Sequence, residues 1–431
     1  MTENRSSRVS RRQYVQALSA TVTLGAGLGA TGTVAADGGD ELWTFETGHP
    51  VQSSPTVVDG MVYVGFYHEN LYAVDTETGT EEWSFNTGRP IFGSPTVVDG
   101  TVYVGSHDDS LYAVDAETGT EEWDFETGGW VSSSPTVKNG TVYVGSHDEN
   151  LYAVDAETGT QEWAFQTGDA IGSSPTVVDG TVYVGSGISL GESQDGNLYA
   201  VDVETGTEEW AFDTGIWIES SPTVVNGTVY VGTGDGNLHA VAAETGTEEW
   251  DFRAGDWVAS SPTVVGETVY VGSEDGNLYA VDAGTGTQEW AFQTGDEVFS
   301  SPTVVDGTVY VGSRDEKLYA VDAGTGTQEW AFQTGDRVDG SPIIKDGTVY
   351  VGSEHLYAVD AGVEGSSEDS RLMQGTLGHH DDWIHAGQTI QINAADDDDL
   401  PGFGLGGALA GIGGTGYLLH RRLGHSDQGD K

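Results

Sequence analysis

Short runs of β-branched and aromatic residues alternate with Gly-, Asp- and Thr-rich breaks over residues 41–360, and the alternation has a fixed period. In one unit Ser94–Val98, Thr101–Gly105, Leu111–Asp115 and Glu122–Phe125 predict four short strands, A to D. Asp99-Gly100, between A and B, reads as a two-residue hairpin turn, because both central residues of a type I′ turn need positive φ. Seven of eight units carry Asp-Gly or Asn-Gly at this place, and Gly266-Glu267 is the exception. A Glu-Trp-x-Phe type segment recurs at Trp43, Trp83, Trp123, Trp163, Trp210, Trp250, Trp290 and Trp330, in steps of 40 residues broken once by a step of 47. Ser-Pro and Val-Tyr-Val-Gly each recur eight times. Proline opens strand A, where the first residue need not donate to the ladder.

Four-stranded units of this length pack radially into a propeller, which leaves short, protected edges. The eighth unit, residues 341–360, has no Trp segment after it, whereas Leu42-Trp43-Thr44-Phe45 precedes the first unit with no strands of its own. The two together make one blade. The predicted fold is therefore all-β: an eight-bladed β-propeller over residues 40–362, its ring closed by the N-terminal strand joining the last blade.

The pattern Ala73-x-Asp75-x-x-x-Gly79-x-x-x-Trp83 resembles the tryptophan-docking motif of the pyrroloquinoline quinone (PQQ) repeat family, and it returns at 113–123, 153–163, 200–210, 280–290 and 320–330. The resemblance implies that the eight recurrent Trp side chains lock neighbouring blades together. Ala242 stands where the motif has Asp, so that junction is expected to be looser. One fold of this kind hosts dehydrogenases, scaffolds and binding modules, so function must come from the site.

Composition narrows the classes. With 69 acidic and 15 basic side chains the net charge is −54, which repels nucleic acid, whose phosphates demand a basic surface. The absence of cysteine excludes disulfides, thiolate metal sites and cysteine nucleophiles. Acids spread along the whole chain read as salt adaptation, because near molar salt the Debye length falls to about 3 Å and self-repulsion is screened.

Both ends read as addresses. Residues 1–36 carry Arg11-Arg12 and then a weakly apolar run ending in Val34-Ala35-Ala36, which resembles a twin-arginine export signal cleaved before Asp37. An acidic tail, 363–399, precedes a hydrophobic segment at 400–422, long enough to cross a bilayer. Pro401-Gly402-Phe403, the apolar run and Arg421-Arg422 resemble the archaeal surface-sorting signal, which implies lipidation or a retained membrane helix. The chain is thus expected to be exported and anchored at the cell surface of a halophile.

The units differ most in the loop from strand D to the next strand A, which should rim the central funnel. Trp130, Trp217 and Trp257 stand there in units three, five and six, and Glu219 and Asp339 stand two residues further on in their units. A seven-residue insertion within 187–195 lengthens the B–C loop of unit four, which emerges on the same face. One sector is expected to hold a small ligand or a surface or envelope protein partner. The competing reading takes these Trp as extra core.

Other chemistry is thinner. A PQQ dehydrogenase needs calcium, a catalytic acid and an aromatic floor; Glu219 and Asp339 would be the acids and Trp217 and Trp257 the floor. The vicinal disulfide common over that cofactor cannot form here, and the long blade insertions are missing. His107 and His147 sit one per blade, too far apart for a shared metal on this reading. His379, His380, Asp381, Asp382 and His385 form a denser group in the tail. Asp195, Asp235 and Asp275 open Asp-Gly-Asn turns that resemble fragments of calcium loops but read as hairpins. Asn139 and Asn226 are glycosylation sequons on A–B turns. The reading is an exported, anchored, non-catalytic binding or scaffold module without a cofactor; the alternative is a PQQ- and calcium-dependent dehydrogenase of alcohols or sugars.

Overall fold

A computed structural model describes residues 38–46, 48–188 and 196–367. Thirty-two strands, β1 to β32 in chain order, form eight four-stranded antiparallel sheets. Blade 1 is β2 (Thr56–Val58), β3 (Met61–Gly65), β4 (Asn70–Asp75) and β5 (Glu81–Asn86), paired in that order from the inside outwards. Blade 8 takes three strands from one end of the propeller, β30 (Ile343–Lys345), β31 (Thr348–Gly352) and β32 (Leu356–Asp360). Its outermost strand is β1 (Glu41–Phe45), in the sheet order β1-β32-β31-β30. The chain is an eight-bladed β-propeller closed by its own N-terminal strand.

The seven Asp-Gly and Asn-Gly turns have both central residues at positive φ, for example Asp99 at 48° and Gly100 at 85°, as type I′ requires. In the eighth, Gly266 is at 62° while Glu267 has negative φ, so glycine occupies the one position that a type II′ turn needs it. The innermost strands are shorter than the sequence suggests, beginning at Thr56 and its equivalents. The Ser-Pro pair before each has a different task. Proline has no N–H, so the serine N–H is the donor left at the inner end of the blade. Ser54 N donates to Ser94 Oγ, Ser94 N to Ser134 Oγ, and so on through Ser174, Ser221, Ser261, Ser301 and Ser341, whose N–H returns to Ser54 Oγ. These eight bonds, 2.8–3.1 Å long, make a closed circle around the axis. A second circle is incomplete. Thr56, Thr96, Thr136, Thr176, Thr223, Thr263 and Thr303 each donate to the proline carbonyl of the next blade, but blade 8 has Ile343 there.

The outer rim is held by the tryptophans. Trp83 Nε1 donates to Ala116 O of the next blade at 2.9 Å, and its ring lies against Gly119, at φ 68°, where an added Cβ would come within 2.7 Å of the indole. The same bond joins Trp43 to Thr76 O across the closure. The junction at Ala242 keeps it: Trp210 Nε1 reaches Ala243 O at 2.9 Å and Gly246 N still bonds Ala242 O. What the Ala removes is the carboxylate that elsewhere caps the turn, as Asp115 does for Thr118. The expected loosening does not extend to the docking bond.

Trp330 of blade 7 lies against Gly38 and Gly39, so residues just before β1 share in sealing the ring. At the other end the chain stays on the propeller beyond residue 362. Ser367 is buried and exchanges hydrogen bonds with the backbone of Ile344, and Ser366 Oγ accepts from Asp346 N. Residues 38–40 and 363–367 both lie on the face of the A–B and C–D turns, opposite the funnel loops. Residues 1–37 and 368–431, which include the expected export and sorting signals, lie outside the described residues. Among the described residues no helix is long and apolar enough to cross a membrane.

Because Trp43 both fills blade 8 and docks blade 1, Trp43→Ala should cost about 3 kcal/mol in denaturant unfolding at high salt. Conservative loss of the docking bond alone, by Trp43→Phe, should cost less.

Candidate functional site

Loops D–A and B–C meet at one rim through main-chain bonds. Val131 N, in the loop entering blade 3, donates to Ser106 O in the B–C loop of blade 2 at 3.0 Å. On its other side Trp130 O accepts from His147 N of blade 3 at 2.8 Å. The first two residues of each B–C loop are thereby held between the crossovers on its two sides, as Ser106 and His107 are by Val131 N and Pro90 O. The same bonds recur at Trp217, Trp257 and Glu297, so the rim geometry is constant and its side chains are free to differ.

Over blades 1 to 3 the rim is a run of rings. Tyr67 meets Phe92 edge-on at 5.9 Å, Phe92 lies 4.4 Å from His107, and His107 stacks nearly parallel on Trp130 at 4.6 Å. Trp130 then meets His147 at 5.7 Å. His107 Nε2 is hydrogen-bonded to Ser132 Oγ at 2.8 Å. Burial and the neighbouring His147 push the His107 imidazole down to about 4, and burial lowers His147 as well, against the pull of Glu219 and Asp169. The two imidazoles are 6.3 Å apart, closer than one histidine per blade suggested, because inner loops of adjacent blades converge. Among the described residues no three His, Asp or Glu side chains group as a metal-ligand set.

Blades 5 to 8 carry charge beside their rings. Trp217 and Trp257 form a T-shaped pair at 4.8 Å. Trp217 is buried beneath the B–C loop, where only glycine fits: a Cβ on Gly234 would lie 2.2 Å from the indole. Trp257 remains partly exposed. Burial, then the charges of Glu297, Asp256 and Glu219 against that of Arg314, raise Glu274 to about 7. Arg314 lies over the Phe299 ring at 3.8 Å and bonds Glu297 at 2.6 Å and Asp339 at 2.7 Å. Arg337 takes the second oxygen of Asp339 at 3.1 Å.

The sector expected from sequence is thus divided. Trp217 and Trp257 come together; Trp130 belongs to the ring stack. Glu219 acts electrostatically on His147 and on Glu274, and Asp339 is held between two guanidinium groups. Tyr67, Glu274 and Arg314 were missed. Each is the second residue after its Val-Tyr-Val-Gly segment, and aligning the eight loops shows that this position varies as much as the crossover positions do. Asp235 and Asp275 are spent on their own turns, through Thr233 and Asn237 in one case and Asn277, Tyr279 and Gly255 in the other. Asn139 and Asn226 are exposed on A–B turns of the opposite face. Asp195, most of the insertion, the histidine-rich tail and Pro401, Gly402 and Phe403 lie outside the described residues.

The family model described as outer membrane protein assembly factor BamB matches residues 27–129, 68–211, 194–300 and 293–370. The chain belongs to this PQQ-repeat family. BamB from Moraxella catarrhalis is similar in structure, with a TM-score of 0.64 and 17% identity over 74% of this chain and 99% of that one. The computationally designed Ika8 protein gives 0.66 and 17% over 75% and 99%. Quinohemoprotein alcohol dehydrogenase from Comamonas testosteroni gives 0.62 and 18% over 75% and 76%. At these identities the likeness establishes the fold. No curated protein matches the chain.

Within this family a quinone cofactor with calcium is the group to test against the rim. Calcium takes six to eight oxygens and needs a catalytic acid beside it, and the two candidates for that acid, Glu219 and Asp339, enter blades three apart in the ring. Asp339 already has both oxygens on arginines. These residues do not fit that group.

The opposed shifts of His107 and Glu274 have opposite signs in stability. His107, depressed to about 4 from 6.5, contributes fully above 6.5, and the contribution is lost as the pH falls through that window. Glu274, raised to about 7 from 4.5, contributes fully below 4.5 and loses its contribution as the pH rises towards 7. Glu274→Gln should therefore raise the thermal midpoint above pH about 7, and the gain should vanish below pH 4.5, where both side chains are neutral.

Proposed function

We propose that this propeller is an exported, surface-anchored, non-catalytic module that binds a ligand or partner at its funnel face. The observation that carries the reading is that 38–40 and 363–367 lie on one face, while the varied side chains lie on the other. A tether at either end leaves the funnel mouth pointing outward. Cleavage after Ala36 would spare Gly38 and the closing strand. The charge of −54 and the twin-arginine and sorting resemblances support a surface location in high salt. BamB, the relative whose name gives an assembly role, supports a part in protein interaction.

The acids of the rim favour this over the dehydrogenase alternative, since Asp339 is neutralised by Arg314 and Arg337. Titrating PQQ and calcium into the full chain in multimolar KCl, with quinone absorbance and tryptophan fluorescence as readouts, should give no saturable binding. Stoichiometric binding, followed by dye-linked oxidation of alcohols or sugars, would overturn the proposal.

A further inference from the structure

We infer that the ring stack Tyr67–Phe92–His107–Trp130–His147 is a platform for the sugar rings of a neutral oligosaccharide. The inference rests on reading the funnel face as the binding face and names the chemistry of its ligand. Tyr67 is 50% and Trp130 47% exposed, two of the most exposed large apolar side chains among the described residues, and they stand at either side of Phe92 and His107 in one continuous run of ring contacts, edge-on at Tyr67 and stacked at Trp130. Burying such rings in a partner is favourable, and leaving them in water costs solvation, so their exposure on a rim asks for a ligand.

The chemistry of the platform narrows its class. Its imidazoles are neutral at physiological pH, because burial holds both below the usual histidine range. A run of uncharged rings offers nothing to a cation or an anion beyond the weak attraction of a π face. A sugar ring, by contrast, has an apolar C–H face that lies flat on an indole or phenol and hydroxyls around its edge. Polar groups flank the rings: the phenol of Tyr67 itself and the Ser132 hydroxyl, which is hydrogen-bonded to His107 Nε2. Two half-exposed rings at a loop rim suit a flat ligand better than a peptide side chain, whose anchors fill pockets. The ring run carries no cation to pair with the carboxylates of an acidic polysaccharide, so the neutral sugar is the class that it suits. Salt points the same way. Ionic recognition is screened in multimolar KCl, whereas contacts between apolar faces are retained or strengthened.

The test is calorimetric titration of the full chain in multimolar KCl with cellohexaose and maltohexaose, and with polygalacturonate as the acidic comparator. The expected result is saturable binding of a neutral hexasaccharide and none of polygalacturonate. Trp130→Ala and Tyr67→Ala should each weaken binding roughly tenfold. Val265→Ala, exposed on the opposite face, should leave it unchanged, and circular dichroism should show all three variants folded. Failure of both hexasaccharides to bind the folded chain, or binding indifferent to Trp130→Ala and Tyr67→Ala, overturns the inference. If that failure accompanies a blank PQQ titration, the sugar falls, the binding module stands, and a protein becomes its partner; stoichiometric PQQ binding removes both readings.

Discussion

Everything in this molecule depends on the closed circle of serine N–H to serine Oγ bonds about the axis. Eight inner strands of three residues each have little area to hold one another, and the proline just before each one lacks a donor. Passing one hydrogen bond from blade to blade satisfies a buried N–H and fixes the angular step in the same act. The tryptophan bonds set the same step at the outer rim. With both radii fixed, the ring does not depend on the side chains of the loops between strands. The loops hold the main-chain bonds that place their first side chains and are otherwise free to diverge, which is why the rim can be aromatic over blades 1 to 3 and charged over blades 5 to 8.

The closure also orients the molecule. Blade 8 is assembled from β1 and the last three strands, so the two chain ends must leave from neighbouring places. Strand direction then puts both on the A–B and C–D face: β1 begins there, and the chain beyond β32 folds back beneath blade 8 to Ser367. The varied rim lies on the other side from residues 38–40 and 363–367, and this opposition follows from the topology of ring closure.

Much of this was legible in the sequence. Period, blade number, the type I′ turns and the role of Trp43 follow from local chemistry repeated at a fixed step, and each repeat confirms the others. The Ser-Pro repeat was visible too, but its bonding was not, because the partner of each serine lies a whole blade away. The rim was legible only in part. Variable positions pointed to Trp130, Trp217, Trp257, Glu219 and Asp339, yet their partners depend on which loops converge. Trp130 stacks on His107, 23 residues before it, across a blade boundary. Trp217 is buried because Gly234 in a different loop lets the chain lie on it. Asp339, the candidate catalytic acid, is instead paired with Arg314, which no local pattern connects to it.

The central claim is that the funnel rim faces outward from a tethered propeller, and a chain without native cysteine allows it to be tested on intact cells. Arg89→Cys places one thiol at an exposed D–A loop, and Glu77→Cys places one at an exposed C–D turn on the opposite face. Reaction with a bulky, membrane-impermeant maleimide should label the first rapidly and the second slowly, with equal rates once the protein is released by detergent. Faster labelling at Glu77→Cys, equal rates on the cells, or no labelling of either before lysis would contradict the account.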